Sequence, residues 1–160
     1  MKAYLVTPDH ESQACVVKTV EVRQTPCHDD PDVMDADYQH ICEILGANYV
    51  DIVRGGKGQL DKHIGYVDGV GLMTPQPGYI LCPQLYALPL AGPILIFGNA
   101  CHPMVGEYCT AATVNEEDFR ALLTTAYVNR RFAIAAHDMS EKLLTAQFPE
   151  MIVVRASSEM

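Results

Sequence analysis

Apolar and polar positions change period several times along this chain, and each change marks an element. Residues 2–6 and 15–22 favour extended backbone, the second run with Val16, Lys18, Val20 and Val22 at alternate positions, and the polar residues 8–13 join them. That pattern predicts a β-hairpin. The period then becomes helical: Asp30-Pro31 supplies an N-cap followed by proline at the first helical position, and Val33, Met34, Tyr38, Ile41, Ile44 and Leu45 recur up to Gly46. Residues 48–53 predict a strand with Tyr49, Asp51 and Val53 on one side and Val50 and Ile52 on the other, broken by Gly55, Gly56 and Gly58.

Residues 64–68 predict a further short strand, and 79–82 another, separated by a turn-prone stretch in which Pro75 and Pro77 prevent ladder pairing. Residues 93–98 form a continuous apolar run bounded by turn residues, the mark of a strand buried in the middle of a sheet. After a loop around Pro103 and Gly106, Thr113 or Asn115 can cap a helix that opens with Glu116, Glu117 and Asp118 and carries the stripe Phe119, Leu122, Leu123, Ala126 and Tyr127. A second C-terminal helix over roughly 129–147 carries Phe132, Ala136, Met139, Leu143 and Leu144, with Pro149 ending it and residues 151–154 forming a last strand. The order predicts an α+β fold: a mainly antiparallel sheet with an N-terminal hairpin, one helix after it, and two C-terminal helices packed on the sheet. A single domain over residues 1–160 is expected, made of a core (1–99) and a C-terminal extension (100–160).

Composition narrows the class. In 160 residues, 49% are hydrophobic and 19% charged, enough apolar content to bury a core and too much for a disordered chain. Eleven Lys and Arg against 20 Asp and Glu give a net charge of −9, which repels nucleic-acid phosphate, and no local basic patch offsets it. No window approaches the ~20 apolar residues a membrane span requires, and the first residues do not read as a signal peptide. A cytoplasmic protein with neither nucleic-acid nor membrane partners is expected. The six cysteines, Cys15, Cys27, Cys42, Cys82, Cys101 and Cys109, then read as free thiols in a reducing compartment, with Cys15, Cys42 and Cys82 acting as small hydrophobes.

The stretches KAYLVTPD at residues 2–9, ILGANYVDIV at 44–53, IGYVDGVGLM at 64–73 and LAGPILIFGN at 90–99 resemble a small domain family of phage, plasmid and other mobile-element genomes, a domain of unknown function. The resemblance spans about residues 1–99. It implies an accessory role in a mobile element and carries no catalytic signature, so no site residue follows from it. The stretches 27–37 and 101–109 depart from the family pattern, and any chemistry there would belong to this chain alone.

Candidate chemistry is sparse. Cys27-His28, Cys101-His102 and Cys109 are zinc-type ligands, but no Cys-x-x-Cys pair is present and neighbours on a strand point to opposite faces. Asp29, Asp30, Asp32, Asp35 and Asp37 lack the alternate-position pattern of a calcium loop and suit the first turn of a helix. The glycines at 55, 56 and 58, and at 65, 69 and 71, do not run from strand directly into helix as phosphate loops do. Cys101 with His102 suggests a thiol nucleophile, yet sequence neighbours seldom form the required hydrogen bond, the distant candidates His63, Asp68 and His137 are unranked, and His137 and His40 read as helix-surface or helix-packing residues. The sequence therefore implies no metal and no cofactor. It is read as a non-enzymatic binding protein of a phage or mobile element, which engages a host protein or sequesters a small anionic ligand. The ligand would meet the exposed amides around Gly55, Gly56 and Gly58 or the guanidinium pair Arg130 and Arg131. The alternative is a small thiol- or metal-dependent hydrolase using residues 101–109.

Overall fold

The computed structural model describes residues 1–9, 14–23, 31–56, 58–70, 79–86, 90–104, 106–127, 132–134 and 151–153. Strands β1 (Lys2–Asp9) and β2 (Ala14–Glu21) form the expected hairpin, with Lys2 opposite Glu21 and Asp9 opposite Ala14. They lead to α1 (Pro31–Leu45), then to β3 (Val50–Arg54) and β4 (His63–Asp68), with a 3₁₀ turn at Gly58–Leu60 between them. After β5 (Tyr79–Leu81) and β6 (Leu90–Ala91) comes β7 (Ile94–His102), the longest strand. The chain continues through β8 (Gly106–Thr110), α2 (Glu116–Ala121), β9 (Thr124–Tyr127), β10 (Phe132–Ile134) and β11 (Met151–Val153).

The first sheet runs β2-β1-β7-β4-β3, with β8 also paired to β7, and every pairing in it is antiparallel. The apolar run of residues 93–98 is central as expected: Leu95 and Ile96 lie between β1 and β4, and Ile94, Leu95, Ile96 and Phe97 are buried. Strand alternation divides the core in two. On the inner face Tyr4, Val6, Val53, Val67, Ile94 and Ile96 pack with Ile80 of β5, Leu90 of β6 and Phe119 of α2. On the outer face Ala3, Val50, Ile64, Tyr66, Leu95 and Phe97 pack under Ile41, Cys42 and Leu45 of α1. A second sheet, β11-β10-β9-β5-β6, is antiparallel apart from the β10–β11 pair.

Helix α1 begins at Pro31, as its fixed φ favours, and ends at Gly46, where φ is +64°. The amide of Gly46 donates to the Glu43 carbonyl and that of Ala47 to the Cys42 carbonyl, closing the last turn in a Schellman motif. The Tyr38 hydroxyl accepts from the Val50 amide at 3.2 Å and ties the helix to β3. Asp30, the expected cap, lies outside the described residues.

The C-terminal part differs from expectation. Asn115 does cap α2, its Oδ1 accepting from the Asp118 amide at 2.8 Å, but the helix has six residues and gives way to β9. The stripe that continued to Ala126 and Tyr127 satisfied a helical period, yet Thr124 and Thr125 are β-branched and β5 offers a ladder, Ile80 standing opposite Thr125. Of the second expected helix, 132–134 is strand, and residues 135–147 lie outside the described residues. The stretch 101–109, read as a loop, is largely the β7–β8 hairpin, with Cys101 opposite Glu107. Its final strand appears at Met151–Val153. Among the described residues no helix is long and apolar enough to cross a membrane.

Candidate functional site: a polar cleft on the outer sheet face

The outer face is apolar under α1 and turns polar beyond Phe97. Asn99 and Cys101 follow Leu95 and Phe97 at alternate positions of β7, so all four side chains rise from one face. Register adds the rest. Lys62 lies opposite Asn99, whose amide donates to the Lys62 carbonyl at 2.7 Å, and β8 places Cys109 opposite Asn99 and Glu107 opposite Cys101. Arg54, at the end of β3, shares the face with Ile64.

Arg54 and Glu107 come from strands separated by two others and meet across the face. The guanidinium Nε donates to Oε1 and Oε2 at 3.0 and 3.1 Å, and Nη2 lies 2.8 Å from Oε1. Asn99 Nδ2 donates to Glu107 Oε2 at 2.9 Å. These charge-assisted bonds favour the ionised carboxylate, holding Glu107 below the usual range, with Arg54 the largest cause and Asn99 a further one; the same bond raises Arg54. The Asn99 Oδ1 atom is buried and has no hydrogen-bond partner.

These groups line an open cleft of about 460 Å³ together with Gly55, Asp61, Lys62, Ala100 and Cys101. Lys62 is the one described non-glycine residue with positive φ, +58°, a conformation that costs a lysine on the order of 1 kcal/mol. Its ammonium makes no ion pair with a described residue, whereas Arg54 is committed to Glu107. Gly55 is required by proximity: its amide donates to the His63 carbonyl at 2.9 Å, and a Cβ there would overlap the Leu60 carbonyl oxygen.

Beneath the cleft, Tyr66 meets Phe97 edge-on at 5.8 Å, and its hydroxyl lies 3.4 Å from Cys109 Sγ. Burial pushes both groups up, Tyr66 far above the ordinary phenol range and Cys109 above the ordinary thiol range, so both stay protonated. Cys109 is therefore a packing residue. Cys82 is likewise pushed up by burial, to about 12. Cys101 is exposed at the cleft.

His63 stands on the opposite, inner face. Its Nδ1 lies 3.1 Å from the Asp61 carbonyl, and its Nε2 receives the amides of Thr113 and Val114 at 3.2 and 3.3 Å. Two N–H donors aimed at Nε2 assign the ring proton to Nδ1. Both ring nitrogens are thus engaged, and the sheet lies between His63 and Cys101.

Of the residues expected to bind a ligand, Gly55 lines the cleft. Gly56 is exposed beside it, and Gly58 packs against the Gln84 carboxamide, whose Oε1 accepts from the Gln59 amide at 2.7 Å. Arg130 and Arg131, and the zinc candidates Cys27 and His28, lie outside the described residues. Among the described residues no three His, Cys, Asp or Glu side chains stand close enough to hold a metal. Arg54, Lys62, Asn99 and Glu107 were not legible as a group, being spread over 54 positions; the one signal was the polar interruption of an apolar strand at Asn99. No protein-family model, curated protein or solved structure matches the chain.

Proposed function

We propose that the protein is a non-enzymatic binding domain that takes a small anionic ligand, a carboxylate or phosphate, in the cleft between Lys62 and Asn99. The observation that carries this reading is the Lys62 ammonium, a cation without a described carboxylate partner beside a rigid polar cluster. Lys62 supplies the charge for the anion. The Arg54–Glu107–Asn99 network fixes the wall and leaves the remaining Arg54 N–H groups for the ligand's other acceptor atoms. Binding is favoured over turnover because the groups that would do acid–base work are committed: Glu107 to Arg54, His63 to three backbone groups, Cys109 to its thiol form.

An accessory role in a phage or other mobile element remains part of this reading, supported by the resemblance over residues 1–99, and a cytoplasmic setting is supported by the composition. The test is a thermal-shift titration with inorganic phosphate, acetate, citrate and adenosine monophosphate. Saturation at 100 times the dissociation constant should stabilise the protein by about 2.7 kcal/mol, and Lys62→Ala should abolish the shift. Shifts that survive Lys62→Ala overturn the reading, as does turnover of an ester or nucleotide abolished by Cys101→Ala, which would establish the thiol hydrolase instead.

A further inference from the structure

We propose that β3 is a docking edge that receives an extended segment of a partner protein, alternately apolar and basic, as an added strand. The first sheet ends at β3. The Gly55 amide donates to His63 and the Gly69 amide to the Tyr49 carbonyl, which fixes the phase of the ladder. Main-chain groups of residues 49, 51, 53 and 55 face β4, and those of 50, 52 and 54 face outward. The outward amide of Val50 is taken by the Tyr38 hydroxyl. The outward main-chain groups of Ile52 and Arg54 have no partner among the described residues, leaving an open template two residues long.

The side chains around this template select the occupant. Tyr49 is 54% exposed, Ile52 42% and Val70 41%, three of the five large exposed hydrophobics among the described residues, and the Tyr49 ring lies against Gly69, next to Val70. Asp51 is exposed on the strand face opposite Ile52, while the strand's own cation, Arg54, is held by Glu107. A second copy of a chain carrying −9 would bring like charge to this edge. A partner strand that lays its apolar side chains on the face of Ile52 and its basic ones on the face of Asp51 satisfies the backbone groups, the exposed isoleucine and that carboxylate together, the mode of β-strand addition.

A fluorescein-labelled peptide of alternating lysine and valine, seven residues long, serves as the probe by fluorescence anisotropy. Alternating glutamate and valine, and the basic peptide with a central proline, serve as controls. Ile52→Pro removes an N–H that the β3–β4 ladder does not use, and Asp51→Lys reverses an exposed charge, so the second variant keeps the test sharp if the first folds poorly. The basic peptide alone should bind, at least tenfold more weakly to either variant, and the Ile52 and Arg54 amides should gain hydrogen-exchange protection on binding. Lys62→Ala should leave this binding unchanged, which separates it from occupation of the cleft. The proposal is overturned if the basic peptide does not bind, if the glutamate peptide binds as well, if folded variants bind it as the parent does, or if the chain sediments as a dimer that Ile52→Pro dissociates.

Discussion

Two polar centres sit on opposite faces of the same sheet, and they are built differently. His63, on the inner face, is 2% exposed and spends both ring nitrogens on backbone groups, joining the start of β4 to the segment that leads into α2. The Arg54–Glu107–Asn99 cluster, on the outer face, is open to a cleft, is bonded through side chains, and leaves Asn99 Oδ1 and the Lys62 ammonium unmatched. A polar group closed on all sides stabilises the fold, because any loss strands buried donors. One held rigid but incompletely matched is what a ligand site requires. The same sheet therefore separates stability from recognition by face.

The sharpest way to break this contrast is to remove the closed centre. His63→Ala should cost about 3 kcal/mol in urea unfolding, since the Thr113 and Val114 amides lose their acceptor. Alkaline stability comes next and reports burial on both faces of the sheet. Cys82, Cys109 and Tyr66 keep their protons in the fold but ionise freely in the unfolded chain, so unfolding is favoured once pH passes the ordinary thiol range and further past the phenol range. Denaturation midpoints should accordingly fall above about pH 8.5, and Tyr66→Phe should remove the later part of the fall. At the open centre stability should change little while recognition changes much: Asn99→Ala should shift the unfolding midpoint by less than about 1 kcal/mol yet remove ligand-induced stabilisation. A drop as large as that from His63→Ala would erase the distinction between the faces.

The smallest effect is at acid pH. Glu107 has a depressed folded value, so its contribution is present above the unfolded carboxylate range and is lost as pH falls through it, below about 4. The pair is largely exposed, and solvent screening keeps that contribution under about 1 kcal/mol. Glu107→Gln should flatten this limb of the pH profile slightly. A steep acid limb carried by Glu107 would mean the outer cluster is structural as well.

Local patterns made part of the fold legible: Pro31 and Gly46 bracket α1, the run of residues 93–98 lies at the centre of the first sheet, and Asn115 caps α2. They failed where a short-range period met a long-range partner. Residues 124–127 carry a helical stripe, but a ladder to β5, more than forty positions away, makes them strand. The glycines around position 55 marked the lip of the cleft through Gly55, yet the groups that give it chemistry escaped notice, since Arg54 and Glu107 each look like an ordinary solvated charge.

What the sequence alone determined are the elements whose signals lie within one turn or one strand: the hairpin, α1, the central strand and an excess of acidic charge. Which faces those strands present to one another was decided only by the tertiary structure. Register is fixed by burying Leu95 and Phe97 under α1 and Ile94 and Ile96 against the second sheet. Once that burial sets the phase, Asn99, Cys101 and Glu107 have no choice of face. The cleft is thus a consequence of where the apolar core ends, and no window of the chain shorter than the distance from Arg54 to Glu107 contains it.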